Sequence, residues 1–320
     1  MSGESNGIHV SRENDNEKRY ENLNGVKNEH GFRDMWKWMK ERREKSKDLS
    51  ENIPKAVTRD VRDVAVNRTE TAITWIGHSS FLIQIQGLNI MTDPVWARRM
   101  GFQKRLTEPG YELSELPDID AVLISHGHYD HLDFPSINKL RGNPDFYVPA
   151  GLKKLFIKKG RKKVHEMNWW DRFEMRGVNI SFVPAQHWTR RTLWDTDTSH
   201  WGGWVIESKN GESIYFAGDT GYFEGFKEIG ERFRIKAALM PIGAYEPEWF
   251  MQVSHINPED AVKAFLELKA DSFIPMHYGA FRLADDTGPE ALSRLHGEWD
   301  RLALPPENLK ALALGETFWL

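Results

Sequence analysis

Four residues that can bind a metal ion fall within a stretch of six. Residues 125–133 read SHGHYDHLD and place these candidates in a His-x-His-x-Asp-His pattern. Neutral imidazole and carboxylate groups are ligands for zinc, manganese and iron(II). Histidine makes up only 12 of 320 residues, so three in so short a stretch argue against a chance feature of a polar surface loop. The predicted ligands are His126, His128, Asp130 and His131.

The elements before these residues would hold the site in place. The apolar run 121–124 is typical of a strand buried on both faces, and the histidine cluster follows it directly. Three further candidates follow strands that we predict at 178–183, 213–217 and 272–276. They are His187, Asp219 and His277. Loops at strand ends can direct several side chains at one point, so we expect all seven candidates to converge.

Seven ligands exceed the four that one tetrahedral metal takes, and they suit two ions about 3.5–4 Å apart. We assign His126, His128 and His187 to one ion, and Asp130, His131 and His277 to the other, with Asp219 bridging. A hydroxide between two cations is a nucleophile at neutral pH, because both cations lower the pKa of their shared water. Such a site needs no serine or cysteine nucleophile.

The composition excludes several other classes of protein. The net charge is −4 and the pI is near 6.3, so the chain has no overall basic field for nucleic acid. It has no cysteine, which excludes disulfides and thiolate-bound zinc. No apolar run approaches the roughly 20 residues of a membrane span, and residues 1–24 are too polar for a secretory signal. We therefore expect a cytoplasmic protein.

The composition also divides the chain into an N-terminal extension, residues 1–55, and a folded domain, residues 56–320. Residues 1–30 are polar and typical of a mobile segment. Residues 32–47 contain seven basic and three acidic residues, and they predict a helix with a short apolar stripe. The stripe consists of Phe32, Met35, Trp36 and Met39. Within the domain, periodicity predicts helices at 135–141 and 289–301 and a last strand at 309–314.

Two interpretations of the basic helix stay open. It could pack on the domain and show its charges to water, which the shortness of the stripe favours. It could instead lie on an anionic membrane surface, as basic amphipathic helices with tryptophan do.

Several segments resemble the metallo-β-lactamase superfamily, and in particular its N-acyl-phosphatidylethanolamine-hydrolysing phospholipase D family. They are residues 92–94, 124–133, 186–188, 191–192, 216–222, 242–251, 255–259 and 277–279. The histidine cluster is specific for the superfamily only, whereas IGAYEPEWFM at 242–251 together with GDTGY at 218–222 narrows the resemblance to the family. The resemblance covers residues 72–320 and is lost in the N-terminal extension.

The resemblance implies an α/β fold, a four-layer αββα sandwich with two mixed β-sheets, for residues 56–320. It implies two Zn²⁺ ions and a phosphodiesterase of the phospholipase D type, which converts N-acyl-phosphatidylethanolamine into N-acylethanolamine and phosphatidic acid. The dizinc-bridging hydroxide would attack phosphorus. A homodimer is also implied. With membrane contact through residues 32–47 the enzyme would be peripheral at the membrane, and removal of residues 1–50 would spare hydrolysis of a soluble phosphodiester.

Other activities occur on the same fold. A lactonase or a soluble phosphodiesterase stays an alternative, because one fold serves many substrates. A nuclease of this fold usually carries a large inserted domain, for which the intervals between the ligands leave no room. A non-catalytic metal-binding protein would be expected to have lost ligands, and all seven are present.

The resemblance further assigns roles around the metals. Catalytic residues would be Asp130, Asp219 and His255, where His255 could assist the leaving group or only pack at a helix start. Asp93 would orient a ligand histidine rather than cap a turn. Candidates for substrate contact are Trp188, Arg190, Arg191, Tyr222 and Tyr245. A surface pair is an equally good interpretation of the two arginines, and simple packing is an equally good one of the two tyrosines. For Trp188, packing in the core is the commoner role of an aromatic at such a place. His78, in a predicted turn, is interpreted as a structural histidine.

Overall fold

The computed structural model describes residues 19–27, 30–44 and 53–320, and the statements below refer to these residues. Residues 1–18 and 28–29 of the segment predicted to be mobile, and residues 45–47 of the predicted helix, lie outside the described residues. The strands are β1 (Ala72–Gly77), β2 (Ser80–Ile85), β3 (Leu88–Thr92), β4 (Arg99–Met100), β5 (Gln103–Lys104), β6 (Ile119–Leu123), β7 (Gly142–Pro149), β8 (Val164–Met167), β9 (Arg172–Met175), β10 (Val178–Val183), β11 (Gly203–Glu207), β12 (Glu212–Phe216), β13 (Arg234–Pro241), β14 (Ser272–Met276) and β15 (Thr317–Trp319). The helices are α1 (Phe32–Glu44), α2 (Val61–Val66), α3 (Phe134–Ile137), α4 (Lys153–Lys158), α5 (Gly225–Arg232), α6 (Glu248–Met251), α7 (Pro258–Leu268) and α8 (Gly288–Arg301).

Two mixed β-sheets form the centre of the fold. The first has the strand order β15-β1-β2-β3-β6-β7-β8, and the second has the order β14-β13-β12-β11-β10-β9. In the first sheet β3, β6, β7 and β8 are parallel neighbours, as are β12, β13 and β14 in the second, whereas the other neighbours are antiparallel. The two sheets share one apolar core, in which the ring of Phe81 lies 6.5 Å from that of Phe216.

Helices cover the outer face of each sheet. In the first sheet Ile73 and Ile83 belong to the core between the sheets, whereas Ile76 and Leu82 pack in a second core with apolar residues of α2, α3 and α4. This alternation is the period of two that a strand with both faces buried requires. Helices α5 and α7 contact β13, and α8 packs on α7. The α/β fold with two mixed sheets is confirmed, and its layers follow the predicted order αββα.

Helix α1 packs on the domain, but not through its apolar stripe. The indole of Trp38 stacks on Phe250 at 5.1 Å between ring centroids and donates to Asp285 Oδ2 at 3.0 Å. The stripe faces solvent instead, and Phe32 and Trp36 are 79% and 60% exposed. The helix therefore shows a solvent-exposed apolar face together with its charges. Among the described residues, no helix combines the length and the apolar character that crossing a membrane requires.

Two predicted elements differ from the observed ones. The helix predicted at 135–141 is the single turn α3, after which the chain turns into β7 at Gly142, which has a φ of +88°. The last strand predicted at 309–314 makes only isolated bridges, because Leu312 N–H turns back to Lys310 C=O at 2.9 Å. The C-terminal strand is β15, which pairs with β1.

Candidate metal centre

All seven predicted ligands lie together, at the ends of strands from both sheets. The histidine cluster follows β6 in the first sheet. His187, Asp219 and His277 follow β10, β12 and β14 in the second. The loops at one end of the sandwich thus bring residues that are up to 151 positions apart into one buried site, as the strand-end pattern predicts. Their side chains form two groups with Asp219 between them.

The first group consists of His126, His128 and His187. Nδ1 of His128 lies 2.9 Å from Nε2 of His126 and 3.2 Å from Nε2 of His187. Nδ1 of His187 is 2.8 Å from the carbonyl oxygen of Ser254, which can only accept, so that nitrogen carries the proton and Nε2 presents a lone pair. Nε2 of His126, Nδ1 of His128 and Nε2 of His187 are therefore close enough together to bind one cation.

The second group consists of Asp130, His131 and His277. Nε2 of His131 lies 3.4 Å from Asp130 Oδ2, and Nε2 of His277 lies 3.5 Å from the same oxygen. A further histidine, His78, has its Nε2 3.1 Å from that carboxylate oxygen. Ligand atoms of these four residues all lie within 4.8 Å of one another. This spacing suits a single ion.

Asp219 lies between the two groups, where a bridging ligand is expected. Its Oδ2 is 3.9 Å from Nε2 of both His126 and His187, and 3.0 Å from Nε2 of His277. Its Oδ1 is 3.2 Å from Nε2 of His131. The carboxylate is buried and reaches both sets of imidazoles, so it could serve as a ligand in either group.

Asp93 supports the second group from behind. Its Oδ2 accepts from Nδ1 of His131 at 2.7 Å and from Oγ of Ser125 at 2.5 Å, and its Oδ1 accepts from Ser125 N–H at 2.8 Å. With its Nδ1 proton committed to Asp93, His131 presents the Nε2 lone pair to the site. This is the orienting contact that the resemblance predicts for Asp93.

The carboxylates around the second group favour positive charge there. Burial opposes the charged form of His131, but the carboxylates of Asp219, Asp130 and Asp93 outweigh burial and raise the pKa of His131 well above its ordinary value. The pKa of His277 is raised to about 9, because Asp219 outweighs the effect of burial on that ring. The carboxylates thus favour a cation at the centre of this group.

The three-histidine group behaves in the opposite way. Burial, with the neighbouring imidazoles, holds the pKa of His126 well below its ordinary value. Burial is also the main reason why the pKa of His187 is strongly lowered and why that of His128 falls to about 4. These rings are neutral at neutral pH, which is the form that binds a metal.

Buried polar atoms without a hydrogen bond show that the residues fit a metal. Nε2 of His131, Nε2 of His277 and Oδ1 of Asp219 are all buried without one. Such atoms are costly in a folded protein unless something satisfies them. When only Nδ1 of His131 is protonated, Nε2 is a lone pair that faces carboxylate oxygens, and a cation bound there would satisfy all three atoms at once. Imidazole and carboxylate donors suit zinc, and they can also bind other divalent metals.

A cavity of about 580 Å³ opens beside the centre. His187 and His255 line its inner end, Trp188 and Phe250 give it an apolar wall, and Arg190 lies among its charged residues. Nδ1 of His255 is 3.9 Å from Asp219 Oδ2, and burial lowers the pKa of this ring to about 4. A neutral imidazole is therefore in place where a bound substrate would meet the metal ligands.

The predicted substrate arginines lie in different surroundings. The guanidinium of Arg190 is 5.6 Å from the ring of Trp188, and both residues line the cavity. Arg191 instead donates from Nη1 to the carbonyl oxygens of Gly127 and Leu132, at 2.6 and 3.1 Å. It therefore braces the loop that carries the histidine cluster, a role that the sequence analysis missed.

The two predicted substrate tyrosines are engaged elsewhere. The hydroxyl of Tyr222 donates to Glu267 Oε1 at 2.7 Å, and Lys263 lies over its ring at 4.0 Å. Tyr245 is fully buried, and the guanidinium of Arg294 lies over its ring at 4.6 Å. The packing interpretation describes both residues better than contact with a substrate does.

His78, which the sequence analysis interprets as a structural histidine, lies among the candidate ligands of the second group. It lies in the turn after β1, is buried, and has a φ of +55°, which is uncommon for a residue other than glycine. Its Nε2 can donate to Asp130 Oδ2 at 3.1 Å. The strand-end rule that found His187 and His277 would also have selected His78, since it lies two residues after the apolar run 72–76.

Comparison with known proteins agrees with this centre. A family model described as the beta-lactamase superfamily domain matches residues 88–278, which contain all seven ligands. The chain belongs to the metallo-β-lactamase superfamily. It is a metal-dependent hydrolase of that superfamily, and its clustered histidine and aspartate residues could bind the metal.

This chain covers a different share of the length of each relative. The N-acyl-phosphatidylethanolamine-hydrolyzing phospholipase D 1 of Caenorhabditis elegans is 39% identical over 227 residues, or 65% of this chain and 64% of that protein. This chain therefore spans less than two thirds of that relative. A UPF0173 metal-dependent hydrolase of Methanopyrus kandleri is 34% identical over 216 residues, or 65% of this chain and 84% of the relative.

A solved structure extends the likeness to the fold. Igni18, a metallo hydrolase from Ignicoccus hospitalis, matches 79% of this chain and 99% of its own chain with a TM-score of 0.60. The two sequences are 23% identical, so this comparison bears on the architecture alone. It agrees with two large mixed sheets between layers of helices.

Proposed function

We propose that this hydrolase is a phosphodiesterase of the phospholipase D type, which converts N-acyl-phosphatidylethanolamine into N-acylethanolamine and phosphatidic acid. The observation that carries the proposal is the 39% identity with a phospholipase D of that specificity over 65% of this chain. The cavity supports it, because an apolar wall and a lining that includes Arg190 suit a substrate with an acyl chain and a phosphodiester.

The chain supplies the residues for two ions. His126, His128 and His187 would hold one, Asp130, His131 and His277 the other, and Asp219 would bridge them. Two divalent cations, zinc by donor type, would supply a water of lowered pKa and neutralise the charge of the phosphodiester. Asp93 would keep His131 in the tautomer that binds metal.

The cavity residues would bind and orient the substrate. Arg190 would pair with a phosphate oxygen, since a guanidinium offers two parallel donors to it. Water would attack phosphorus in line with the oxygen of the N-acylethanolamine, whose bond to phosphorus breaks and which takes up a proton. The neutral ring of His255, at the inner end of the cavity, would hydrogen-bond that leaving oxygen.

We also propose that α1 brings the cavity to a lipid surface. Its solvent-facing apolar stripe contains Met35, which also lines the cavity, and Trp36, which is 60% exposed. Arg33, Lys37 and Lys40 accompany the stripe on the same helix. An amphipathic helix of this composition lies at the boundary of an anionic bilayer, with its tryptophan among the headgroups. The substrate would then reach the metal centre without leaving the membrane surface.

A substrate panel in ¹⁸O-labelled water tests the proposed reaction. The zinc-loaded full chain would be given N-acyl-phosphatidylethanolamine in mixed micelles, an acyl lactone, and bis(p-nitrophenyl) phosphate as a soluble phosphodiester. We expect N-acylethanolamine without label and phosphatidic acid with the label on phosphorus. Lactone opening without release of N-acylethanolamine would replace the proposal by a lactonase. Hydrolysis of the soluble ester alone would leave a soluble phosphodiesterase.

A further inference from the structure

The side chain of Asn22 joins the N-terminal segment to a metal ligand. Its Oδ1 accepts from the backbone N–H of His187 at 2.9 Å and from Nε1 of Trp201 at 2.9 Å. Its Nδ2 donates to the carbonyl oxygen of His187 at 2.9 Å and to that of Val26 at 3.1 Å. The amide thus uses both its donors and both acceptor positions, and it is buried.

His187 is held at both ends by these contacts. Asn22 pairs with its backbone N–H and C=O as a neighbouring strand would, while the carbonyl of Ser254 fixes the ring through Nδ1 at 2.8 Å. The ring nitrogen left over, Nε2, is the one that faces His128. A shift of the backbone of His187 would move this nitrogen away from its group.

Other contacts show that the segment around Asn22 packs along the loop that follows β10 and contains His187. The backbone N–H of Tyr20 donates to the carbonyl of Asp197 at 2.8 Å, and the Tyr20 ring stacks on His200 at 4.4 Å. The guanidinium of Arg19 donates to the carbonyl of Thr196. Residues 19–27 therefore lie against the loop that runs from His187 to β11, over several independent contacts.

The same segment forms part of the cavity wall. Asn22, Val26 and Lys27 line the cavity together with His255 and Phe250 of the domain. The predicted N-terminal extension thus takes part in the site, although its polar sequence contains no motif that marks it as part of a metal centre.

We propose that Asn22 is a positioning residue for the metal centre, which acts by holding the backbone of His187, and that residues 19–27 belong to the active site. The proposal rests on the proposed function only in taking His187 as a metal ligand. Because His187 belongs to one group, loss of the Asn22 contacts should weaken the ion held with His126 and His128 more than the other ion. General loss of stability would weaken both ions alike.

Two asparagines in this segment give a matched pair of variants. Asn22→Asp replaces the donor Nδ2 by an oxygen that faces the carbonyls of His187 and Val26, which is repulsive. Asn24→Asp makes the same change in charge at an exposed side chain of the same segment. Asn22→Ser, which shortens the side chain without adding charge, serves as a second test variant.

The test measures metal binding in the full chain, so it does not depend on any substrate. Zn²⁺ affinity is measured by competition with a chromophoric chelator, and the Co²⁺-substituted protein gives d–d absorption bands that report ligand geometry. In both Asn22 variants we expect one of the two ions to bind about 10–100-fold more weakly and the Co²⁺ bands to change. Asn24→Asp should match the unaltered protein. Circular dichroism confirms that each variant is folded.

The outcomes separate this proposal from the proposed function. Folded Asn22 variants with two tight ions and unchanged Co²⁺ bands would overturn the positioning role. Equal weakening of both ions would also overturn it, because the effect would then come from stability. The unaltered protein could bind its metals and the Asn22 variants could show the expected differences, while the unaltered protein releases no N-acylethanolamine. In that case the positioning role stands and the substrate assignment fails.

Discussion

Nδ1 of His131 lies 2.7 Å from Oδ2 of Asp93, and both side chains are fully buried. Asp93 also has a φ of +33°, so the backbone adopts an uncommon conformation to place this carboxylate. The contact connects the loop after β3 with the loop after β6 and decides which nitrogen of His131 faces the metal centre. The candidate centre therefore includes an orienting residue that is not one of the seven candidate ligands.

Replacement of Asp93 by asparagine should lower metal affinity. The side-chain amide of the Asp93→Asn variant could present its nitrogen or its oxygen to His131, but not the negative charge that holds the Nδ1 proton. Loss of an orienting contact of this kind costs about 10–100-fold in metal affinity, which chelator competition measures. Asp118→Asn makes the same chemical change at an exposed carboxylate that pairs with Arg141 and should bind metal normally. Normal affinity in Asp93→Asn would contradict the orienting role.

Replacement of His255 by glutamine separates a catalytic role from a ligand role. If His255 hydrogen-bonds the leaving oxygen, kcat should fall by about 10²-fold while the metal content stays at the level of the unaltered protein. Steady-state kinetics and metal analysis are made on the same sample. Loss of metal in parallel with activity would show instead that His255 is a ligand, in the group that it forms with His187 and Asp219.

Metal should be retained at mildly acid pH. Burial lowers the pKa of His128 to about 4 and holds those of His126 and His187 well below the ordinary value of 6.5. A lowered imidazole pKa means that protons compete for the ligand nitrogens only at more acid pH. We expect the affinity for the ion of this group, measured by chelator competition, to stay constant to about one pH unit below the ordinary imidazole pKa and to fall only on approach to pH 4. An affinity that already falls as the pH drops through 6.5 would contradict it.

Two tryptophans of α1 should have different roles. Trp36→Ala removes an exposed side chain, so stability should change by no more than about 0.5 kcal/mol, whereas binding to anionic vesicles should weaken by about tenfold or more. Trp38→Ala removes the stack on Phe250 and the bond to Asp285 and should lower the melting temperature. Vesicle sedimentation and thermal unfolding measure the two effects. Unchanged vesicle binding of Trp36→Ala would contradict the lipid-surface role.

The convergence of the seven candidate ligands could be predicted because their positions obey a local rule. Each of the seven lies just past an apolar run, and a strand end in a layered fold points to one edge of the domain. His187 and His277 are 90 residues apart, yet the rule brings them together without knowledge of the strand order. The fold followed from the same strands and from the resemblance that they carry.

Contacts made by residues without such a pattern could not be predicted. Asn22 lies in a polar segment whose composition is typical of disorder, and its partner His187 is 165 residues away. The amide has no periodicity that marks it as buried. In α1 the apolar stripe was visible in the sequence, but the face that packs is set by Trp38, Phe250 and Asp285, which meet only in the folded chain.

With Asn22 as a positioning residue, we expect removal of residues 1–50 to weaken metal binding, rather than to spare hydrolysis of a soluble substrate.

The metal content and activity of Asp219→Asn test the central claim most directly. Asp219 reaches both groups of imidazoles, and the amide removes the charge that would bridge two cations. We predict that the folded variant binds less than the full complement of metal and hydrolyses phosphodiesters at below about a hundredth of the normal rate, with Asp118→Asn unchanged. Full metal content with full hydrolytic activity in Asp219→Asn would contradict the assignment of this cluster as the hydrolytic centre.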